Sequence, residues 1–336
     1  MAKRPSKRSS APATPAPARP AGRGWMFAAA LLVIPAVAGI YFATREPAPR
    51  AKPALQRVPG PADVCVTMPP FALRLGLKPP IAIDLRGQGG TPGFALIGSG
   101  PNAKPLRLPE WEAFGNLGAH TLDRDGNLYV APIPFFRSGS RKVPPITNQF
   151  YRVDGKSGLM TEFVQLPMTS PPSASNPFGV MGLAYDCGTK SLFASSVAGS
   201  GPKSEIGVLF QIDPATRAVR SRFDGVDALG LAVFNGARDR RLYFGSARRP
   251  EVHSIALDET GAFTGRPRFE VSLANQVGGA FDKAHSIKFH RDGRMEVKGI
   301  EFSYSLIVAS DPRRNTYTFV YQPEKDTWVF RDILRK

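Results

Sequence analysis

Two cysteines and four histidines are all that 336 residues supply. So little thiol and imidazole leaves no run of Cys and His at the spacing of a zinc site. Also missing are a Gly-x-Ser-x-Gly elbow, a glycine-rich phosphate loop and a His-Glu-x-x-His helix, so the local signatures of a nucleophilic serine, a bound nucleotide and a helix-borne zinc are absent. Beyond residue 80 no stretch carries the apolar rhythm of an amphipathic helix. Acid is absent from residues 1–43, where Lys3, Arg4, Lys7, Arg8, Arg19 and Arg23 give +6; the rest of the chain carries +11, for a formal +17. Such a surplus draws anionic lipid, polyanions or acidic proteins. Its bases are scattered among acids, and helix-turn-helix, RNP-like and zinc-finger patterns are missing, so nucleic acid is not an expected partner.

What is present begins with a basic, Pro/Ala/Ser-rich tail over residues 1–24, which has nothing apolar to bury and reads as disordered. Residues 25–43, "WMFAAALLVIPAVAGIYFA", carry no charge. As a helix this run is about 28 Å long, enough to cross a hydrocarbon core, and Trp25 and Tyr41 stand near its ends where interfacial aromatics belong. The acid-free tail places the N-terminus in the cytoplasm. The span reads as an uncleaved signal-anchor in a bacterial inner membrane; a signal peptide cut after Ala38, at Ala36-Val37-Ala38, is the alternative. In either case the remainder is exported to the periplasm. Residues 44–62 are Pro-rich and read as an extended stalk, leaving residues 63–336 as the folded domain.

Cys65 opens that domain and Cys187 lies well inside it. On the exported side a disulfide between them is expected, with two buried free thiols as the alternative.

The body of the chain is written in short alternating runs between Gly, Pro, Asp and Asn turns, which predicts an all-β domain. Four hairpins repeat one phrase: "GAHTLDRDGNLYVAP" from Gly118, "GLAYDCGTKSLFASS" from Gly182, "GLAVFNGARDRRLYFGS" from Gly230 and "AHSIKFHRDGRMEV" from Ala284. A second hairpin follows each, and "GFALIGSGPNAKPLRLP" from Gly93 reads as the second hairpin of an earlier copy. Leu128, Leu192, Leu242 and Met295 mark the same strand at spacings of 64, 50 and 53 residues. Four strands per unit at about this period is the pattern of a β-propeller blade. Six blades are expected if residues 63–92 build part of one, and five otherwise.

The phrases "GLA…LYFGS" and "DRDGNLYVAP" resemble the six-bladed propellers of the SMP-30/gluconolactonase and NHL type, over roughly residues 80–336. In the lactonases of that group the resemblance implies a divalent metal, such as calcium, held at the channel mouth by Asn, Asp and Glu placed immediately before the inner strand's Gly. Here those slots hold Gly118, Met181, Leu229 and Lys283, none of them a hard-oxygen ligand. The resemblance therefore carries the architecture, and a metal-dependent lactonase or esterase becomes the alternative reading.

His120 and His285 read as occupying one place in their blades, where the other copies have Leu183 and Leu231; two imidazoles facing one channel suit a metal pair, a proton shuttle or an anion-binding mouth. Local hydrogen bonding inherited through the repeat is the plainer account. Asn116, Asp227 and Asp282 precede inner strands and can ring the mouth with Lys283, although both aspartates also suit backbone-capping turns. Asp125-Gly126 and Asp292-Gly293 read as tight turns, and Asp186 and Asp213 as blade turns. His253 and His290 have no assigned partner. Arg248-Arg249, Arg313-Arg314 and Arg238 to Arg241 are basic loop clusters able to dock acidic partners or lipid. The sequence thus predicts a membrane-anchored periplasmic propeller that binds an envelope protein or a small ligand, with no metal in the expected site and calcium only under the lactonase alternative.

Overall fold

In the computed structural model the described residues are 58–85, 91–101, 103–134, 148–305 and 315–335. The chain divides into two units, Met1–Leu55 and Gln56–Lys336. The first lies outside the described residues, and with it the basic tail, the apolar span 25–43 and most of the stalk. Among the described residues no helix is long and apolar enough to cross a membrane.

The second unit is built from antiparallel strands. β1 (Gly60–Pro61) and a five-residue helix, α1 (Pro70–Arg74), precede a two-stranded sheet of β2 (Ala82–Asp84) and β3 (Ala95–Ile97). Leu96 exchanges backbone hydrogen bonds with Leu106, which adds a third short run to that sheet. Four meander sheets follow. The first comprises β4 (Leu117–Leu122), β5 (Leu128–Pro132), β6 (Gln149–Val153) and β7 (Met160–Gln165). The second comprises β8 (Val180–Asp186), β9 (Ser191–Ser196), β10 (Val208–Ile212) and β11 (Val219–Asp224). The third comprises β12 (Ala228–Asn235), β13 (Arg240–Ser246), β14 (Glu251–Leu257) and β15 (Phe263–Ser272), and the fourth β16 (Asp282–Phe289), β17 (Arg294–Glu301), β18 (Thr316–Gln322) and β19 (Thr327–Leu334). All eight hairpins expected from the repeat are present. Among the described residues there are five sheets and no sixth; residues that a sixth blade needed are spent on α1, β2 and the strap described below.

Each hydrophobic core is shared by two neighbouring sheets, the arrangement of propeller blades. Tyr129, Phe150 and Phe163 pack with Leu183, Leu192 and Phe210. Phe193 and Leu209 pack with Leu231, Leu242 and Ile255, and Phe234, Tyr243 and Val252 with Ile287, Met295 and Trp328. The two-stranded sheet contributes Phe94 and Leu96 to a core with Leu117, Leu128 and Tyr151, where Phe94 stacks on Trp111 at 3.9 Å. The repeat markers Leu128, Leu192, Leu242 and Met295 are buried at equivalent levels, paired with Leu122, Tyr185, Val233 and Phe289.

The register explains the repeated phrase. In every blade the inner strand carries an extra residue against its partner: Gly118-Ala119 opposite Ala131, Met181-Gly182 opposite Ser195, Leu229-Gly230 opposite Gly245, and His285-Ser286 opposite Lys298. At Gly182 and Gly230 the second residue of the bulge has the next blade's backbone against it. A Cβ on Gly182 would stand 2.2 Å from the Leu229 carbonyl oxygen, and one on Gly230 would stand 2.3 Å from that of His285. The recurrent small residue thus lets inner strands approach, and the bulge twists each strand to fit.

Residues 60–71 form a strap across the turn ends of three inner strands. β1 pairs with the free edge of β12, the Ala62 N–H donates to the Val233 carbonyl at 3.1 Å, and the Cys187 N–H donates to the Ala62 carbonyl at 2.9 Å. Cys65 and Cys187 form the expected disulfide, with Cα atoms 5.9 Å apart. The Thr67 N–H then donates to Asp123, and that of Phe71 to Gly155. Residues 60–62, which composition assigns to the stalk, therefore belong to the folded unit. Asp63 is solvent-accessible yet surrounded by protein, and desolvation raises its carboxyl, opposed by its own backbone hydrogen bond and by Lys288.

Candidate functional site

The starts of the inner strands share one end of the sheets with the loops that join each second strand to the third. Pairing places Asn116, Gly179, Asp227 and Lys283 at equivalent positions there. The carbonyls of the first three accept from the N–H groups of Ile133, Val197 and Ala247, and Lys283 lies immediately before Ala284, the counterpart of Ala228. Three of the six expected mouth residues are thus brought to one slot. The register separates the two histidines. His120 pairs with Val130, and its counterparts are Leu183, Leu231 and Ile287; His285 is a bulge residue, with Gly118, Met181 and Leu229 as counterparts. His285, and not Lys283, therefore occupies the slot that resemblance assigns to metal ligands. Alignment on Ala-His hides a two-residue offset: His120 stands two residues before Leu122, and His285 four before Phe289, the counterpart of Leu122.

His120 is solvent-accessible yet ringed by protein, and desolvation pushes its imidazole below its ordinary value, partly opposed by a hydrogen bond with the Gly118 backbone. Lys283 is half-buried; desolvation lowers its ammonium, opposed by Asp282 and Glu251.

Asp227 is fully buried and both its oxygens are used. Oδ1 accepts from the Ser200 hydroxyl and, at 2.9 Å, from the Gly207 N–H. Oδ2 accepts from the Tyr304 hydroxyl and faces Arg248 Nη1 at 3.4 Å. Arg248 also donates to the carbonyls of Gly201 and Pro202, each at 2.9 Å. Burial, and then the bond to Asp227, raise the Tyr304 phenol. This node ties the second, third and fourth blades together. Asp282 is likewise buried, accepting from Asn315 Nδ2 at 2.8 Å and the Tyr317 hydroxyl at 2.6 Å. Asp227 thus has partners on both oxygens, as a buried charge needs, whereas both bonds to Asp282 fall on Oδ2. Among the described residues no group of three His, Cys, Asp or Glu is placed to hold a metal ion.

The arginine clusters are largely internal as well. Arg248 serves Asp227, Arg240 bonds Asp186 at 3.0 Å, and Arg241 bonds Asp239 and Ser254, each at 2.6 Å. Arg249 remains at the surface beside Glu251, which also meets His253 Nε2 at 2.8 Å. His290 stands 3.7 Å from Glu296. Arg313-Arg314 lie outside the described residues. Asp186 and Asp213 cap their turns as expected, accepting from the N–H groups of Gly188 and Ala215, and Gly126 and Gly293 take the left-handed φ of +76° and +78° that their turns require. Tyr304 and Ser200 escaped sequence reasoning, because both sit in loops outside the repeat.

An exposed apolar segment stands at the mouth end: in the loop from β15 to β16, Val277 and Phe281 are 73% and 74% exposed. Single exposed apolar residues are ordinary, but two on one short loop beside Lys283 form a contact surface.

The chain matches no protein-family model and no curated protein. Among solved structures it is similar to the PQQ-bound aldose sugar dehydrogenase of Streptomyces coelicolor, at 12% identity over 67% of this chain and 71% of that one, with a TM-score of 0.37. It is also similar to the dihydro-heme d1 dehydrogenase NirN, at 9% identity over 76% of this chain and 54% of that one, with a TM-score of 0.35. Likenesses this distant bear on neither activity nor ligand, and the blade arrangement rests on the strand pairing of the chain itself.

Proposed function

We propose that this chain is a non-catalytic binding module, a propeller held at a bacterial inner membrane by residues 25–43, with its sheets in the periplasm. It engages an envelope protein or small ligand over the mouth that carries Asn116, Lys283, His120 and His285. The observation that supports this most is the saturation of Asp227, whose two oxygens are both spent on holding three blades together, while Oδ2 of Asp282 is spent on Asn315 and Tyr317. A hydrolytic metal centre of the SMP-30/gluconolactonase type needs such oxygens free. The disulfide fits an oxidising compartment. Val277 and Phe281 give the same end an apolar contact for a protein partner.

The test uses the full chain in detergent, with elemental analysis and a screen of lactones and esters with and without added calcium, and a photo-crosslinking residue at Phe281 compared with one at Glu324 on the opposite end. Crosslinks to one envelope protein from Phe281 only, with no turnover, are expected. Stoichiometric metal with turnover would replace this reading by the lactonase one.

A further inference from the structure

The opposite end of the sheets carries a pocket of about 530 Å³ between the turns of the first two meander sheets. Three turns surround it: the one joining β4 to β5, the one joining β8 to β9, and the one joining β10 to β11. Its lining mixes acids and bases, but the acids are already used. Asp123 Oδ1 accepts from the N–H groups of Asp125 and Asn127, each at 2.9 Å, and Oδ2 accepts from Asn127 Nδ2 at 2.7 Å and the Tyr129 hydroxyl at 3.1 Å. Asp213 accepts from the Ala215 N–H at 2.8 Å and from Arg220. Only Asp125, at the exposed rim, keeps open acceptors.

The donors are in surplus. Arg152 is fixed through Nη2, which donates to Asn127 Oδ1 at 3.1 Å and Asp154 Oδ2 at 3.0 Å, while its Nε is buried without a partner. Tyr185 is 3% exposed with its ring in the core shared by the first two blades, and its hydroxyl, facing the pocket, has no hydrogen-bond partner among the described residues. Arg124 and Lys190 stand exposed at the rim, also without ion-pair partners among the described residues. A buried N–H left unpaired, as at Arg152 Nε, is unfavourable by about 1–3 kcal/mol unless something accepts from it. The group that suits a guanidinium edge, a phenol and two rim cations together is an oxyanion.

We propose that this pocket binds the carboxylate or phosphate group of a small anionic molecule, with Arg152 and Tyr185 donating from within and Arg124 and Lys190 from the rim. The site lies at the other end of the strands from the mouth, so its failure leaves the mouth reading standing.

The experiment is calorimetric titration of the full chain with citrate and, separately, inorganic phosphate, each against sodium chloride at equal ionic strength. Saturable one-site binding of at least one oxyanion is expected, and the stronger arm identifies the headgroup. The doubly substituted Arg124→Gln/Lys190→Asn chain changes only exposed side chains, and Asn tolerates the left-handed backbone of Lys190. It should bind about tenfold more weakly or worse, Tyr185→Phe several-fold more weakly, and the remote Arg291→Gln as the parent does. No saturable heat from either probe, an equal response to chloride, or undiminished affinity in the double variant would overturn the proposal.

Discussion

Replacing Asp227 by alanine separates a structural carboxylate from a ligand kept in waiting. In the folded chain the side chain is fully buried and meets Ser200, Gly207, Tyr304 and Arg248, contributed by three blades. Removing it strands two hydroxyls, an N–H and part of a guanidinium. Breaking a buried charged pair in this way lowers stability by about 3–5 kcal/mol. Tyr304→Phe removes one donor and leaves the carboxylate with three others, so its loss should be smaller, about 1.5–3 kcal/mol. Urea unfolding of the full chain with the disulfide intact, followed by tryptophan fluorescence, measures both. An Asp227→Ala chain that unfolds within about 1 kcal/mol of the parent would refute the structural assignment, since a carboxylate held open for a cation is little missed in the cation's absence.

The disulfide closes a loop spanning 122 residues, and its removal by Cys65→Ser/Cys187→Ser should lower stability by about 5 kcal/mol in the chain-entropy account; identical urea midpoints for parent and variant would contradict it. Gly230→Ala forces a Cβ against the His285 carbonyl and should lower stability by about 1–3 kcal/mol or more, whereas Gly60→Ala, with open space around it, should stay within about 0.5 kcal/mol. Buried Tyr304 and Tyr317 have raised phenol values, so each favours the folded state fully below the ordinary tyrosine value of about 10; the unfolded chain ionises first, and stability should fall as pH rises above that point, less steeply in Tyr317→Phe. His120, lowered by desolvation, should titrate by NMR below the ordinary histidine value of about 6.5, and a midpoint above it would contradict the desolvation described.

The hairpins were legible in the chain because their causes are local. Strand alternation has a period of two, and the turns at Asp123, Asp154, Asp186, Asp213, Asp258 and Asp292 are closed by side chains that accept from N–H groups within four residues. The Cys65–Cys187 bond was equally legible, since two cysteines have one pairing to make. The candidate site was legible only in part: Asn116, Asp227 and Lys283 do share a slot, while His120 and His285 do not.

What belongs to the sequence alone is therefore the all-β class, the four-strand unit and its repetition. Tertiary structure decided which phrase positions are equivalent, because pairing aligns the inner strands on Leu122 and Phe289 and so sets the two Ala-His phrases two residues out of step. It also decided what the polar groups do. Asp227 takes its partners from as far as Tyr304, and the pocket at Tyr185 exists only because turns from two blades meet. Hydrogen-bond capacity is a sum over everything that folds against a group, and no local stretch of chain contains that sum.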